Sequence, residues 1–584
     1  MAKEWMRGCA ALILGLVSAA WVLSPPPAEA TLYFGDLRLS GDLSAQNLVR
    51  MRTVGGFQPV QQRNTARIRL DYELLNGGKV LGKFEAPDFI ESSSLYLLYR
   101  GVYDSVYDWA PGGRLYDFTG HAIPSVTLTG QPTPDSISRI PSGTRDALKW
   151  DNTLREAYVD VNFRHIPLSL RIGRQQIVWG ETDNFRLLDR VNALDLTWHL
   201  QQETEIGHGW DQLRIPYWML KWLWTLPNVG PMTNGFLEGY WNPGDWYPNK
   251  RRFLPYSPWS LPVSDPIQSA GLKGVYKSTL FRQGDYSRNP ADNSQVGVRL
   301  GGMVGGVQFT IAYFYARYNQ DDGANTAFVK AITDPALATD VFANRQLLPA
   351  EYTVPYTHTI GFSANRYDDW SEAVLKTEQV YVFGMPFSSG DIRSPVLPAQ
   401  LFGTVRKDMW QGMVGFDRPT WIRWLNSRAT WLILGQFFWH YLVNNEHPTG
   451  SHIGLVGNLT PTTVPSTFPL VNRITGQPCT GPDFTNCAAV DRVRDWELLF
   501  TVAATTFYRS GTVVPQITFG CDPVNSFNML IAWSVDYYLT PDLIVNLAQR
   551  YYVNTTEEPV YETWGVGGLN RGRSESQLRL TWQF

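Results

Sequence analysis

The sequence predicts an all-β fold: a transmembrane antiparallel up-and-down β-barrel of about 18 strands, with 16 as the alternative count. Three observations predict it. The chain ends in a period-two stretch, with Leu578, Leu580, Trp582 and Phe584 on one face and Gln577, Arg579, Thr581 and Gln583 on the other. That is the pattern of a barrel-closing strand with lipid outside and water inside. Other alternating stretches carry charges at their polar positions, too many for a packed sandwich core, where unpaired charge is costly. Tight turns and long loops also alternate regularly along the chain, as in outer-membrane barrels.

In chain order, residues 1–30 read as a secretory signal peptide. Lys3 and Arg7 precede an apolar stretch from Cys9 to Leu23, and Ala28-Glu29-Ala30 supplies a small-residue cleavage site. Residues 31–584 then form a single barrel domain. Beyond the signal, the longest apolar stretch, Thr430 to Val443, falls short of the roughly 20 residues a membrane helix needs. The net charge of -3, the aromatic content of 14% and a mean hydropathy of -0.21 suit a barrel whose strands are half polar.

The first clear strand alternates Ala66, Ile68, Leu70, Tyr72 and Leu74 with Arg67, Arg69, Asp71 and Glu73. Val307, Phe309, Ile311, Tyr313 and Tyr315 form a second apolar row, and Met529, Ile531, Trp533, Val535 and Tyr537 a third. Tight turns are expected at Asn76 to Lys79, Arg164 to Pro167, Pro227 to Gly230, Gly305-Gly306, Tyr367 to Asp369, Asp417-Arg418-Pro419, Ser510-Gly511 and Thr540 to Asp542. Much longer connections separate them, which places both termini on the short-turn, periplasmic side of a Gram-negative outer membrane. Trp421 and Trp424, Trp439 and Tyr441, Tyr537 and Tyr538, and Tyr551 and Tyr552 are expected to build interfacial girdles.

The long loops supply candidate sites. After Tyr240, the aromatics Trp241, Trp246, Tyr247 and Trp259 stand near Arg251 and Arg252, a combination that stacks on a ligand or pairs with an anionic group. The competing expectation is that these side chains pack on one another over the barrel mouth. Cys479 and Cys487 flank a turn-rich segment and are expected to form a loop-closing disulfide in an exported protein, leaving Cys521 as a small strand residue.

A second segment leaves a strand at Arg171 and runs through Arg174, Trp179, Glu181 and Phe185 to Asp195. Thr182 or Asp183 is placed to cap a short helix bearing Phe185, Leu187 and Leu188 on one side, so the segment is expected to fold inward as a plug. Here the chain resembles the uncharacterised Gram-negative outer-membrane proteins of domain-of-unknown-function family 1302. Gly173-Arg174-Gln175, Trp179-Gly180-Glu181 and Asn192-Ala193-Leu194-Asp195 carry the resemblance. It implies a barrel that works beside an RND-type permease and a periplasmic carrier, moving hydrophobic or lipidic compounds across the envelope.

Three functions remain open on sequence. In a porin-like transport channel, Arg67, Arg69, Asp71, Glu73, Arg171, Arg299, Arg317, Asp536, Arg550 and Arg579 line the lumen and orient solutes. In a non-conducting docking or adhesion barrel, the long loops bind a partner instead. Membrane catalysis is disfavoured, because none of the eight histidines sits in a nucleophile elbow or metal spacing. No cofactor, metal or nucleic acid is implied. The expected surroundings are outer-membrane lipid and lipopolysaccharide, with the barrel-assembly machinery acting during biogenesis.

Overall fold

Alternation in the sequence becomes a closed wall. The computed structural model describes residues 31–52, 56–76, 78–80, 84–85, 87–109, 145–146, 149–183, 185–195, 210–245, 278–283, 289–317, 328–331, 347–353, 355–388, 404–443, 496–523, 528–553 and 574–584. The expected signal peptide, the Cys479 and Cys487 pair, and loop positions Trp246, Tyr247, Arg251, Arg252 and Trp259 lie outside the described residues.

Eighteen strands make the wall: β1 Leu37–Arg52, β2 Gly56–Glu73, β3 Ile90–Asp104, β4 Trp150–Phe163, β5 Leu168–Gln175, β6 Tyr217–Thr225, β7 Met232–Asn242, β8 Gln295–Val304, β9 Val307–Arg317, β10 Tyr356–Asp368, β11 Ala373–Ser388, β12 Thr404–Thr420, β13 Trp431–Leu442, β14 Trp496–Thr505, β15 Val513–Asp522, β16 Asn528–Tyr538, β17 Leu543–Val553 and β18 Glu575–Gln583. Each pairs antiparallel with its sequence neighbour, and β1 pairs with β18 from Asp42↔Gln583 to Arg50↔Glu575, closing the sheet. A short strand, Leu32–Phe34, runs beside the start of β1. Closure removes every bare edge, which hydrocarbon demands because it offers backbone amides no partner.

The two faces differ as the period-two pattern requires. Ile172, Trp218, Ile311, Ile517, Trp533 and Leu547 are exposed on the outside, while Asp42, Gln46, Glu238, Glu378, Gln436 and Gln577 are buried within. Because neighbours on a strand face opposite ways, only one of each adjacent tyrosine pair joins a girdle. Tyr537 and Tyr551 are exposed outside, whereas Tyr552 is buried inside and Tyr538 lines a lumen cavity.

Strand ends at one rim are joined through residues 164–167, 226–231, 305–306, 369–372, 506–512 and 539–542, and the start of β1 and the end of β18 lie there too; strand ends at the other rim are joined through residues 105–149, 176–216, 243–294, 318–355 and 443–495. The alternation is imperfect. Only residues 53–55 separate β1 from β2, and only 523–527 separate β15 from β16, although both sit on the long-connection rim. Asp417, Arg418 and Pro419, expected as a turn, lie inside β12 opposite Leu434, Ile433 and Leu432, and the connection is 421–430. Asn76 and Lys79 pair within a small meander, Leu75–Asn76 with Lys79–Val80 and Phe84–Glu85, rather than joining β2 directly to β3. On the opposite rim, Ser278–Gln283 runs parallel to Leu347–Thr353, tying together the connections that follow β7 and β9.

Candidate functional site

A packed apolar core sits inside the wall. Residues 176–195 and 211–216 turn inward, burying Ile177, Trp179, Leu187, Leu188, Val191, Ala193 and Ile215. Their partners are lumen-facing residues that include Tyr240, Phe314, Val380, Met413, Phe438 and Leu499, from β7, β9 and β11 to β14. Trp179 stands edge-on to Tyr240 at 5.4 Å and to Phe314 at 6.2 Å, with the Arg299 guanidinium 5.4 Å from its ring, and Phe185 meets Phe438 at 5.6 Å.

Polar wall residues fasten this segment. The carboxylate of Glu378 on β11 is fully buried and accepts from the Glu181 and Leu188 backbone N–H groups, each at 2.6 Å. Lys376 Nζ bridges Asp183 at 2.8 Å and Asp417 at 2.9 Å, and Gln436 Nε2 donates to the same Asp183 carboxylate at 2.9 Å. Within the segment, Asn192 Oδ1 accepts from Ile177 N at 2.8 Å while its Nδ2 donates to Ile215 O at 2.8 Å. Arg214 and Asp189 form a buried pair at 2.5 Å.

The expected helix is absent among the described residues of 176–195. The wall claims the amides that a helix would use: Glu378 takes two of them and Gln436 Oε1 accepts from Asp183 N at 3.2 Å. Gly180 adopts φ +121, and a Cβ there would meet Glu378 Oε2 at 2.8 Å. Tertiary bonding thus overrides local propensity. Glu181 lies outside the wall strands, and burial pushes its carboxyl up from the ordinary value of 4.5 despite the Asn365 hydrogen bond and the charge of Lys376.

Among the described residues, the lumen keeps open space along β1 to β4 and β16 to β18. A cavity of about 560 Å³ is lined by Asp42, Arg67, Arg69, Tyr96, Arg100 and Arg155, among others. A second of about 250 Å³ adjoins it, sharing Asp42, Arg67, Asp211, Gln212 and Gln583 and adding Arg63, Asp536 and Arg579. The larger volume lies inside the range of sites that hold small molecules. Beside it Arg171 lies 4.0 Å over Tyr158, Tyr158 stacks on Tyr96 at 4.8 Å, and Arg69 lies 5.0 Å over Tyr96.

Of the lumen candidates, Arg67, Arg69, Asp536 and Arg579 line these cavities. Asp71 binds Arg69 at 2.6 Å, and Glu73 pairs with Arg38 at 3.2 Å. Arg171 is paired with Asp160 at 2.7 Å, Arg299 Nε with Glu238 at 2.9 Å, and buried Arg550 donates to Gln577 at 3.2 Å. Arg317 is a correction, for it shares the parity of outward-facing Tyr313 and Tyr315 and sits at the rim over Tyr356 with Asn293 at 2.7 Å. Arg174 is another, since it belongs to wall strand β5 opposite Trp218 and its Nε donates to Pro216 O at 3.3 Å. Trp241 is a third, as it faces outward from β7 and bonds Ser294 at 2.8 Å.

Sequence reading missed Glu378, Lys376, Asn192, Arg100 and Arg155. Lys376 and Glu378 show the inward parity of a strand, but nothing local says which chain segment they hold. Arg155-Glu156 was detectable, because two consecutive charges interrupt the alternation of β4.

The closed 18-stranded wall with an apolar outer face defines an outer-membrane-type β-barrel of porin-like architecture, its lumen partly filled from within. The chain belongs to the family described as Protein of unknown function (DUF1302), whose model matches residues 77–538. No curated protein matches it in sequence. Among solved structures it is similar to a BenF-like porin from Pseudomonas fluorescens Pf-5, at 8% identity and a TM-score of 0.40, covering 95% of this chain and 100% of that one. Pseudomonas aeruginosa OccK8 (OprE) is similar at 10% identity and a TM-score of 0.39, with 94% and 98% covered. Salmonella typhi OmpF, solved with daunomycin, is similar at 10% identity and a TM-score of 0.36, with 95% and 100% covered.

The residues that carry the family resemblance fasten the inward segment to the wall. Gly173, at φ +140, has no room for a Cβ, which would stand 2.2 Å from Ala157 O. Gln175 is buried and donates to Met219 O at 2.9 Å, Trp179 fills the aromatic pocket, and Asn192 is the segment's hub. Asp195 N then bonds Leu213 O at 2.7 Å, where the chain returns to the wall.

Proposed function

We propose that this protein is a selective outer-membrane channel whose path is the half of the lumen that the inward segment leaves open. The polar cavity along β1 to β4 carries this reading, for a barrel serving only as an anchor has no need of a lined passage beside its plug. Both termini are then periplasmic, on the short-connection rim. Arginines in the path favour cargo with an anionic group. In line with the family resemblance, we propose cargo with a hydrophobic or lipidic body, passed between this barrel and an RND-type permease with its periplasmic carrier.

Reconstitution of the full protein in planar bilayers tests the reading. Small discrete conductance steps with anion preference are expected, and removal of residues 181–191 is expected to raise the conductance several-fold. Silence from both proteins, with each folded by gel mobility, would overturn it and favour the docking barrel.

A further inference from the structure

Strand β4 departs from its own alternation beside the cavity. Glu156 stands opposite Leu98 and Leu154 opposite Tyr99, so Arg155 is an extra residue with no partner across the ladder, a β-bulge. Leu154 is exposed outside, and both Arg155 and Glu156 line the cavity. One inserted residue therefore turns two consecutive charges into the lumen.

Arg155 is only 5% exposed. Its Nη2 donates to the backbone carbonyls of Asp211 at 2.8 Å and Arg214 at 2.5 Å, so the guanidinium is held in place from one side. Among the described residues its Nε and Nη1 make no hydrogen bond, and the residue lines the cavity. Among the described residues no carboxylate oxygen lies within 4.0 Å of the guanidinium. The other cations of the cavity are matched: Arg67 with Asp42 at 2.7 Å, Arg69 with Asp71 at 2.6 Å, and Arg100 with Asp151 at 2.7 Å. Glu156 is engaged through Gln176 Nε2 at 2.8 Å. Tyr96, Leu98 and Val178 complete an apolar flank.

A positioned guanidinium with an open edge matches the two oxygens of a carboxylate, and Arg makes that match better than Lys because its fork is planar. We propose that the bulge at Arg155 builds a subsite for an organic acid anion, its carboxylate on Nε and Nη1 and its apolar body against Tyr96, Leu98 and Val178. The subsite names the cargo class of the channel reading and rests on it for passage, though not for binding.

The test is calorimetric titration of the purified full-length protein in nonionic detergent with hexanoate, alongside bilayer recordings. Arg155→Gln is expected to weaken hexanoate binding about tenfold or more, Arg155→Lys by several-fold, and Glu156→Gln, which removes the adjacent negative charge, to tighten it several-fold. Should Arg155→Gln not fold, Arg155→Lys and Glu156→Gln still give the opposite-signed pair. Equal affinities across wild type and these variants would overturn the subsite, as would hexylammonium binding in place of hexanoate. Arg155-dependent binding with silent bilayers would leave the subsite standing and remove the channel.

Discussion

Glu378 shows how much one side chain can decide inside a barrel. Each of its oxygens accepts one amide of the inward segment at 2.6 Å, and the residue has no exposure at all. Replacing it by glutamine leaves a single acceptor and aims an N–H at the other amide. A buried donor stripped of its partner costs about 1–3 kcal/mol, against roughly nothing for an isosteric change at an exposed site. Glu378→Gln is therefore expected to speed hydrogen exchange at the Glu181 and Leu188 amides by tenfold or more while leaving wall amides protected. Unchanged exchange at both would show that the apolar contacts alone hold the segment. Gly180→Ala approaches the same contact from the other side, since its φ of +121 and the 2.8 Å clearance disfavour any side chain. It is expected to give the same exchange phenotype.

At the scale of elements, the inward segment is seated against the wall, and Glu181 gives that seating a pH dependence. Its carboxyl is raised above the ordinary 4.5 chiefly by burial. A raised acid binds its proton more tightly in the seated state, so seating is favoured fully below 4.5, and that advantage is lost as pH rises through the folded value. Lys376 and Arg299 oppose the shift and Asp183 adds to it. The expected outcome is slower Leu188 amide exchange, corrected for intrinsic rates, on acidification from pH 7 towards 4.5. The difference between wild type and Glu181→Gln isolates this carboxyl, and parallel pH profiles would refute its role. Elements also show what the sequence made legible. Period-two strands were readable because each face meets one solvent, and one residue settles the next, as in β2, β9, β16 and β18. The inward path of residues 176–195 was readable from Phe185 and Leu188, which are too apolar for a water-facing loop. Its conformation was not, because the acceptors for its amides lie on β11 and β13, some 190 and 250 residues away. Arg317 misled for a related reason: near a strand end a charge can leave the lumen for the rim, where Asn293 and Tyr356 receive it.

For the whole molecule, the governing fact is that two solvents act on opposite sides of one sheet. Leu547 is 48% exposed on the outer face of β17, and its strand neighbour Ala548 is buried within. Arginine in place of Leu547 has to bury its charge in hydrocarbon or distort the bilayer around it, a cost of about 2–4 kcal/mol near the midplane of a barrel strand. Ser44, on β1, lines the smaller lumen cavity among Asp42, Arg63 and Asp536. An arginine there meets water, and the carboxylates of Asp42, Asp211 and Asp536 offset Arg63, Arg67 and Arg579 around it, so Ser44→Arg is expected to leave stability within about 0.5 kcal/mol, the ordinary range for a solvated site. It narrows the passage, so conductance should fall while the fold persists. Urea unfolding of both variants from lipid vesicles, scored by gel mobility, separates the two effects. If Leu547→Arg unfolds at the same urea concentration as wild type, the outer face does not rest in hydrocarbon. A wall wetted on both sides would then be a soluble sheet, and neither the open half of its lumen nor the segment that fills the rest could act as a passage.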